Sequence, residues 1–320
     1  MQTTSQQIQR LFSRLRPFRQ ADMTPLASLM WAAGACPPTV RPAPADIIIR
    51  WHRRNINPQQ DVQVLPGDNG ELVAFVQVGV FREGVARLNF EIAVHPDYRR
   101  QGIGTALYEL VMERAERTPI AQITTPVYTL PGESAGGVGS WLTQGGFHPG
   151  HSFWQMRFDS VAEAREPRFP EGIRVRTFND MDHDPGIWSS LIMNSFGEAA
   201  SAAGIIAQLS EPGVSRDGYF FAVDTATGRE VGTSRARIDV VGGEEIGYIG
   251  TVGVLPPYRG RGIARALLVQ TLSYLAGKGM SSATLFVEDS NTTARSLYEK
   301  LSWRYVYLTS HFVKAVNHPG

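Results

Sequence analysis

The chain of 320 residues has room for about two ordinary domains, and 42% hydrophobic with 19% charged residues is a globular composition. Its 31 basic and 30 acidic side chains leave a net charge of +1, which argues against a global attraction to nucleic acid or an anionic membrane. A single cysteine, Cys36, excludes an intrachain disulfide and any multi-cysteine zinc site, and no metal is expected.

In chain order, Arg10, Arg14, Arg16 and Arg19 come first without an acid among them. No apolar segment accompanies them, and no later stretch approaches the ~18 apolar residues of a membrane span, so a cytoplasmic location is expected. A short strand over Leu15–Arg19 precedes a helical stretch from Asp22. Strands over Leu72–Phe81 and Val85–Val94 follow, then a helix from Gly102, a strand Ile120–Tyr128, a weak helix near Val138–Gln144 and a strand Phe147–Phe158. The charged segment Asp159–Gly172, with Pro167 and Pro170, reads as a linker. Beyond it the order recurs: strand Ile173–Phe178, a helix from near Asp180, and strands Tyr219–Asp224, Glu230–Val241 and Ile246–Val254. A helix from Gly262 to near Gly277, strand Ala283–Val287, helix Thr292–Leu301 and strand Trp303–Leu308 complete it.

The recurrence is also literal. Ile92–Leu107 (IAVHPDYRRQGIGTAL) and Val252–Leu267 (VGVLPPYRGRGIARAL) lie 160 residues apart and agree at eight of sixteen positions. The same offset aligns Leu15–Phe18 with Val175–Phe178 and Val127 with Val287. Two copies of one domain, 1–160 and 171–320, are therefore expected. Hairpins followed by strand–helix–strand units imply an α/β fold with a mixed sheet.

The repeated strand–loop–helix has the makings of an anion site. Glycines let successive N–H groups converge, and the helix N-terminus adds unsatisfied donors and the positive end of its dipole. No G-x-x-x-x-G-K-[ST] is present, and the seven residues between Val94 and Gly102, or Val254 and Gly262, are too many for a dinucleotide fingerprint.

The pattern V-x-P-x-Y-R-x-[QR]-G-I-[GA] after a strand resembles the acyl-CoA signature of the GNAT N-acetyltransferase superfamily. A second stretch, Asn291–Trp303 (NTTARSLYEKLSW), is similar to that family's N-x-x-A-x-x-L-Y-x-K-x-G-F helix, with Ser302-Trp303 in place of Gly-Phe. The tandem arrangement resembles that of mycothiol synthases. The resemblance implies two GNAT-like domains, each a mixed, mostly antiparallel sheet flanked by helices, and acetyl-CoA as donor to the amine of a small molecule.

By the same resemblance Val252, Gly253 and Val254 pair with the pantetheine arm, and a backbone N–H near Val254 or Leu255 faces the thioester carbonyl. The N–H groups of Arg259, Gly260, Arg261, Gly262, Ile263, Ala264 and Arg265 hold the pyrophosphate. Asn291 contacts the cofactor or caps its helix. Tyr298 is the proton donor to the departing sulfur; its spacing with Ala294, Leu297 and Leu301 equally suits a core aromatic. The strand Ile246–Val254 carries no carboxylate, which leaves Glu244 and Glu245 at the preceding turn as candidate bases.

The first copy keeps the loop (Ala93, Val94, Arg99, Arg100, Gly102, Ile103, Gly104, Thr105) but places Leu142 where the second has Tyr298. It is expected to be a non-catalytic or vestigial acyl-CoA site. The alternative for the whole chain is an acyl-CoA-binding or sensing protein without turnover; a homodimer is left open. Gly132-Glu133-Ser134-Ala135-Gly136 matches an esterase elbow, but no HGGG-type oxyanion loop precedes it. His148-Pro149-Gly150-His151 reads as a turn rather than a metal motif.

Overall fold

Strand-forming runs broken by glycine and proline build one continuous sheet of twelve strands. The structure is a computed structural model that describes residues 12–81, 85–164, 166–178, 185–197, 201–210 and 213–316. The expected helix start at Asp180 and Arg10 lie outside these residues.

The first copy contributes β1 (Arg16–Pro17), α1 (Met23–Ala33), α2 (Pro44–Arg53), α3 (Pro58–Asp61), β2 (Val62–Pro66), β3 (Leu72–Phe81), β4 (Arg87–Val94), α4 (Ile103–Glu116), β5 (Gln122–Thr129), α5 (Gly136–Gln144) and β6 (His148–Phe158). The second contributes β7 (Ile173–Thr177), α6 (Pro185–Phe196), α7 (Ala202–Leu209), β8 (Tyr219–Asp224), β9 (Glu230–Val241), β10 (Glu244–Val254), α8 (Ile263–Gly277), β11 (Ala283–Glu288), α9 (Thr292–Lys300) and β12 (Arg304–Ala315). Three elements of the first copy, α2, α3 and β2, have no counterpart in the sequence reading. The stretch from His148 to His151 is the start of β6 rather than a turn.

The strand order is β1-β2-β3-β4-β5-β12-β6-β11-β10-β9-β8-β7. All neighbours are antiparallel except β4 with β5 and β10 with β11, which makes each copy mixed and mostly antiparallel. The order at the centre is the unexpected part. β12, from the second copy, lies between β5 and β6 of the first, and β6 in turn pairs with β11 of the second. The two copies exchange their last strands, so the linker after residue 160 does not mark a break in the sheet.

In the first copy both faces are covered. Phe75, Leu26, Met30 and Trp51 are buried between the sheet and α1–α2, while Leu107, Val111, Leu88 and Leu142 are buried against α4 and α5. This double cover explains why β3 reads as an almost unbroken apolar run. In the second copy Leu268, Leu272 and Leu285 pack beneath α8 and α9, and Trp188, Leu191 and Phe221 beneath α6.

Candidate active site

Each copy contains a fork in its sheet. β4 and β5 are in parallel register only at Arg87–Asn89 with Gln122–Thr124, and β10 and β11 only at Gly247–Ile249 with Ala283–Leu285. Beyond those three pairs the strands diverge, leaving the inner edges Phe90–Val94 and Gly250–Val254 without a strand partner among the described residues. Backbone groups on such an edge need partners, and an extended amide-bearing chain supplies them.

The forks differ in one detail. β4 stays in unbroken register with β3, whereas β10 slips against β9 between Gly250 and Gly253, with Thr251 at φ 57°. The slip inserts one extra residue into β10, a bulge of the kind that re-aims a strand beside a site. It also places Gly250 opposite Arg235, where β4 has Glu91 opposite Gln77. The Leu255 N–H is bonded to the Val231 carbonyl at 2.9 Å and is committed to the sheet. By the antiparallel alternation the Val254 N–H points into the fork, so of the two donors implied by resemblance only Val254 is free to act.

After each fork arm a single turn (Pro96–Tyr98; Pro256–Tyr258) leads to a glycine in the left-handed region, Gly102 and Gly262, both at φ 84°. These glycines cap α4 and α8 with no side chain over the first turn, which leaves its N–H groups open. Ile103 and Ile263 anchor the turns in the core. Arg99 and Arg259 do not project as free charges. Arg99 donates to the carbonyls of Val94 (3.2 Å) and Ala33 (3.0 Å), and Arg259 to those of Val254 (3.0 Å) and Ser195 (2.8 Å). Each ties its loop to the fork arm and to the end of a facing helix. Arg100, Thr105, Arg261 and Arg265 are exposed, and Gly104 and Ala264 are half-buried in the first helical turns.

Arg100 sits at φ 61° where the second copy has Gly260 at φ 76°. A left-handed residue other than glycine costs roughly 1–2 kcal/mol. Arg100→Gly should offset part of that strain against a more flexible unfolded chain, raising the melting temperature by a few degrees; a fall would show that the arginine makes a compensating contact.

The sequence profile of the acetyltransferase (GNAT) family matches residues 26–128 and 188–303, one match for each fork and loop. The chain belongs to the GNAT acetyltransferase family. It is 32% identical over 220 residues to a mycothiol acetyltransferase of Salinispora arenicola, covering 67% of this chain and 68% of the relative. A mycothiol acetyltransferase of Salinispora tropica is 28% identical over 242 residues, covering 73% and 75%. The solved structure of a GCN5-related N-acetyltransferase from Sphaerobacter thermophilus superposes with a TM-score of 0.78 at 26% identity, over 96% of both chains. A tandem GNAT protein from the clavulanic acid biosynthesis pathway shares the fold, with a TM-score of 0.69 at 17% identity over 96% of this chain and 99% of that one. The activity is acetyl-CoA-dependent N-acetyl transfer, and nothing favours the reading without turnover.

Within this tandem GNAT the second fork has Tyr298 beside it. Tyr298 is 7% exposed, its ring 6.0 Å from that of Trp303, and burial pushes its hydroxyl up to about 12, with Tyr248 adding to the rise. Asn291 accepts from the Ala294 N–H at 3.1 Å and so caps α9. Glu244 and Glu245 are corrected by the fold. They are strand residues at the exposed hairpin end of β10, while the fork opens at the other end. At about 3.3 Å per residue, the five or more residues to Gly250 put them roughly 15 Å or more from it, too far to take a proton directly or through one water.

The matching place in the first copy is Leu142, 2% exposed in the core. The match is structural as well as sequential, since Phe147 N bonds Leu142 O and Trp303 N bonds Tyr298 O, both at 3.0 Å. Leu142→Ala should cost about 2–5 kcal/mol of stability and leave turnover per folded molecule unchanged; a selective loss of turnover would make Leu142 part of the chemistry. Ser134, in the expected esterase-like segment, lies in the loop before α5 and lines the first fork.

That first fork opens into a cavity of about 640 Å³, lined by Val94, Gly102, Gly104, Trp141 and, at its inner end, Glu91 and Tyr128. At the corresponding place in the second fork the Phe196 ring lies over Gly253, where the first has Gly34. Glu91 escaped the sequence reading although it stands three residues before Val94, because its partners come from elsewhere. Arg54 donates to its Oε1 at 2.5 Å and Arg50 lies 3.4 Å from Oε2. Burial pushes the Glu91 carboxyl up, but the two guanidinium groups outweigh it and the net shift is downward. A carboxylate held this way is a poor base and a good tie between β4 and α2. Glu91→Gln would leave two arginines without their counter-charge and should cost about 3–5 kcal/mol. Because the folded value is depressed, this stability is present above the unfolded value of about 4.3 and is lost as pH falls through the folded value. Melting of wild type and variant should therefore differ fully at pH 7 and converge in acid; a constant gap would refute the ion-pair account.

Proposed function

We propose that the second copy, residues 171–320, transfers the acetyl group from acetyl-CoA to the amine of a small molecule, while the first, residues 1–160, binds an acyl-CoA without turnover. The observation that carries this reading is the asymmetry of the forks. The second has the bulged arm and Tyr298; the first has unbroken register, Leu142, and an inner end whose carboxylate, Glu91, is held by Arg50 and Arg54.

The fit of each fork to the donor is good on its own terms. The open inner edge of Val252, Gly253 and Val254 suits the amides of a pantetheine chain, and the open N–H groups of Gly262, Ile263 and Ala264 suit a pyrophosphate. Arg261 and Arg265, exposed at that turn, add charge, whereas Arg259 acts by holding the loop in place. Ala93 and Val94, with Gly102, Ile103 and Gly104, repeat the arrangement in the first copy. The Salinispora relatives make a mycothiol-type acceptor the first to try, and near-neutral charge gives no support to a nucleic-acid substrate. The reaction belongs in the cytoplasm, where acetyl-CoA is made.

The test is calorimetric titration of the intact chain with acetyl-CoA, using a carboxylate in either first helical turn to repel phosphate. Gly104→Glu should remove one of two sites and preserve turnover; its Cβ meets nothing closer than Val94 at 3.8 Å. Ala264→Glu should remove the other site and turnover with it. The reverse assignment of turnover would overturn the division of labour.

A further inference from the structure

The second fork needs a group to take the proton of the attacking amine, and β10 offers no carboxylate there. The other arm does. Glu288 is the last residue of β11, three beyond its last pairing with β10. Leu285 and Val287 are buried beneath α8 and α9, so by alternation Phe286 and Glu288 lie on the opposite face. That face is open, with Phe286 43% exposed in an interior strand of the sheet. Tyr248 of β10 stands 6.3 Å from Phe286 between ring centroids, so the two arms of the fork share this face, while Tyr298 packs with Leu285 and Val287 on the other.

The Glu288 Oε1 lies 2.7 Å from Nδ1 of His151. His151 belongs to β6, a strand of the first copy delivered here by the exchange. The register of β6 and β12 slips at this point, with Gly150 and His151 opposing His311 alone. The slip depends on glycine, since a Cβ at residue 150 would come within 2.8 Å of Val313 Cγ2 and 3.1 Å of the His311 carbonyl oxygen. A bulge is a device for aiming a side chain, and here it aims an imidazole at a carboxylate.

We propose that Glu288 is the general base of the second fork and that His151 is its positioning residue. This rests on the second fork being the reaction centre. As the amine nitrogen forms its bond to the acetyl carbonyl carbon and the carbon–sulfur bond breaks, the nitrogen's proton passes to the Glu288 carboxylate, directly or through one water. The electron pair of the broken bond leaves on sulfur, which Tyr298 stabilises by hydrogen bonding and which is finally protonated from solvent. Glu288 then returns its proton to solvent, with the 78% exposed His151 ring as the route. Among the described residues, the ionisable groups on the adjoining strands are His311 of β12, which faces the β6 slip, and Tyr248 of β10, which pairs beside Thr284 of β11, and Glu288 is followed by Asp289. Asp289 is already engaged by Trp154 Nε1 and Arg295, each at 2.7 Å.

The test uses the full chain with acetyl-CoA and a set of primary amines (glucosamine, tyramine, putrescine and glycinamide), on whichever the unaltered chain acetylates fastest. Glu288→Gln should lower kcat by about a hundredfold with acetyl-CoA affinity within twofold, and Glu288→Asp should recover part of the loss. His151→Gln should lower kcat less, leave the KM for the amine and the melting temperature unchanged, and cause no further loss in the Glu288→Gln background, which a purely structural role would not do. Wild-type kcat in Glu288→Gln would overturn the proposal. Tyr298→Phe separates the two levels: if it is inactive while Glu288→Gln is not, only the base assignment falls, and if both are fully active the second fork is not the reaction centre.

Discussion

Tyr298→Phe is expected to lower kcat about a hundredfold while leaving acetyl-CoA affinity and the melting temperature nearly unchanged. The change removes one oxygen from a side chain whose ring, packed against Trp303, stays in place. The size of the effect follows from what the hydroxyl can do. With its value pushed up to about 12, Tyr298 is protonated throughout the working range. Full transfer of that proton to a thiolate of reference value ~8.5 would be uphill by about 5 kcal/mol. The hydroxyl therefore acts chiefly by donating a hydrogen bond to sulfur as negative charge develops there, an interaction stronger in the transition state than in the ground state. For the same reason an alkaline limb in the rate profile below pH 10 does not belong to Tyr298. Steady-state kinetics alongside calorimetry decides the matter, and a kcat within twofold of wild type would remove Tyr298 from the chemistry.

Separating the copies should have a still larger effect. Residues 1–165 and 166–320, made singly, are each expected to lack a cooperative thermal transition, and to regain one when produced together. β12 pairs with β5 along Leu308–Ala315 and Gln122–Thr129, and on its other side with β6. Without it the first copy keeps β5 and β6 as unpaired edges with apolar faces, and the second copy loses β6 from beside β11. A cooperative, monomeric fold of residues 1–165 alone would show that the last strands can return to their own copies.

How much could be read beforehand varied with the physical source of the signal. In the second copy, the turn Thr225-Ala226-Thr227-Gly228 and the pair Gly242-Gly243 punctuate the chain so firmly that Tyr219–Asp224 and Glu230–Val241 emerged with their observed bounds. α2 was not legible, because Ile47 and Trp51 are buried while Ile48 and Ile49 are exposed, which blurs the helical stripe. The strand exchange left no trace in periodicity. Alternation tells which face of β6 or β12 is covered, not which strand lies alongside. Both loops could be found because their chemistry is local, a run of glycine and arginine after a strand. Glu91 with Arg54, and His151 with Glu288, are pairs separated by 37 and 137 residues, and only the folded sheet brings them together.

The exchanged strands also set a timetable for synthesis. At about 5–20 residues per second, the interval between completing β5 at residue 129 and β12 at residue 315 is roughly ten to forty seconds. Throughout it the first copy has its loop and helices α1–α4, but an open edge along Gln122–Thr129. A nascent chain emerging from one ribosome can offer that edge to the β12 of a neighbour on the same message. Dense polysomes should then favour intertwined dimers, and slower initiation should favour monomers of identical sequence. The ratio of the two forms would record how the chain was made rather than any difference in its equilibrium stability.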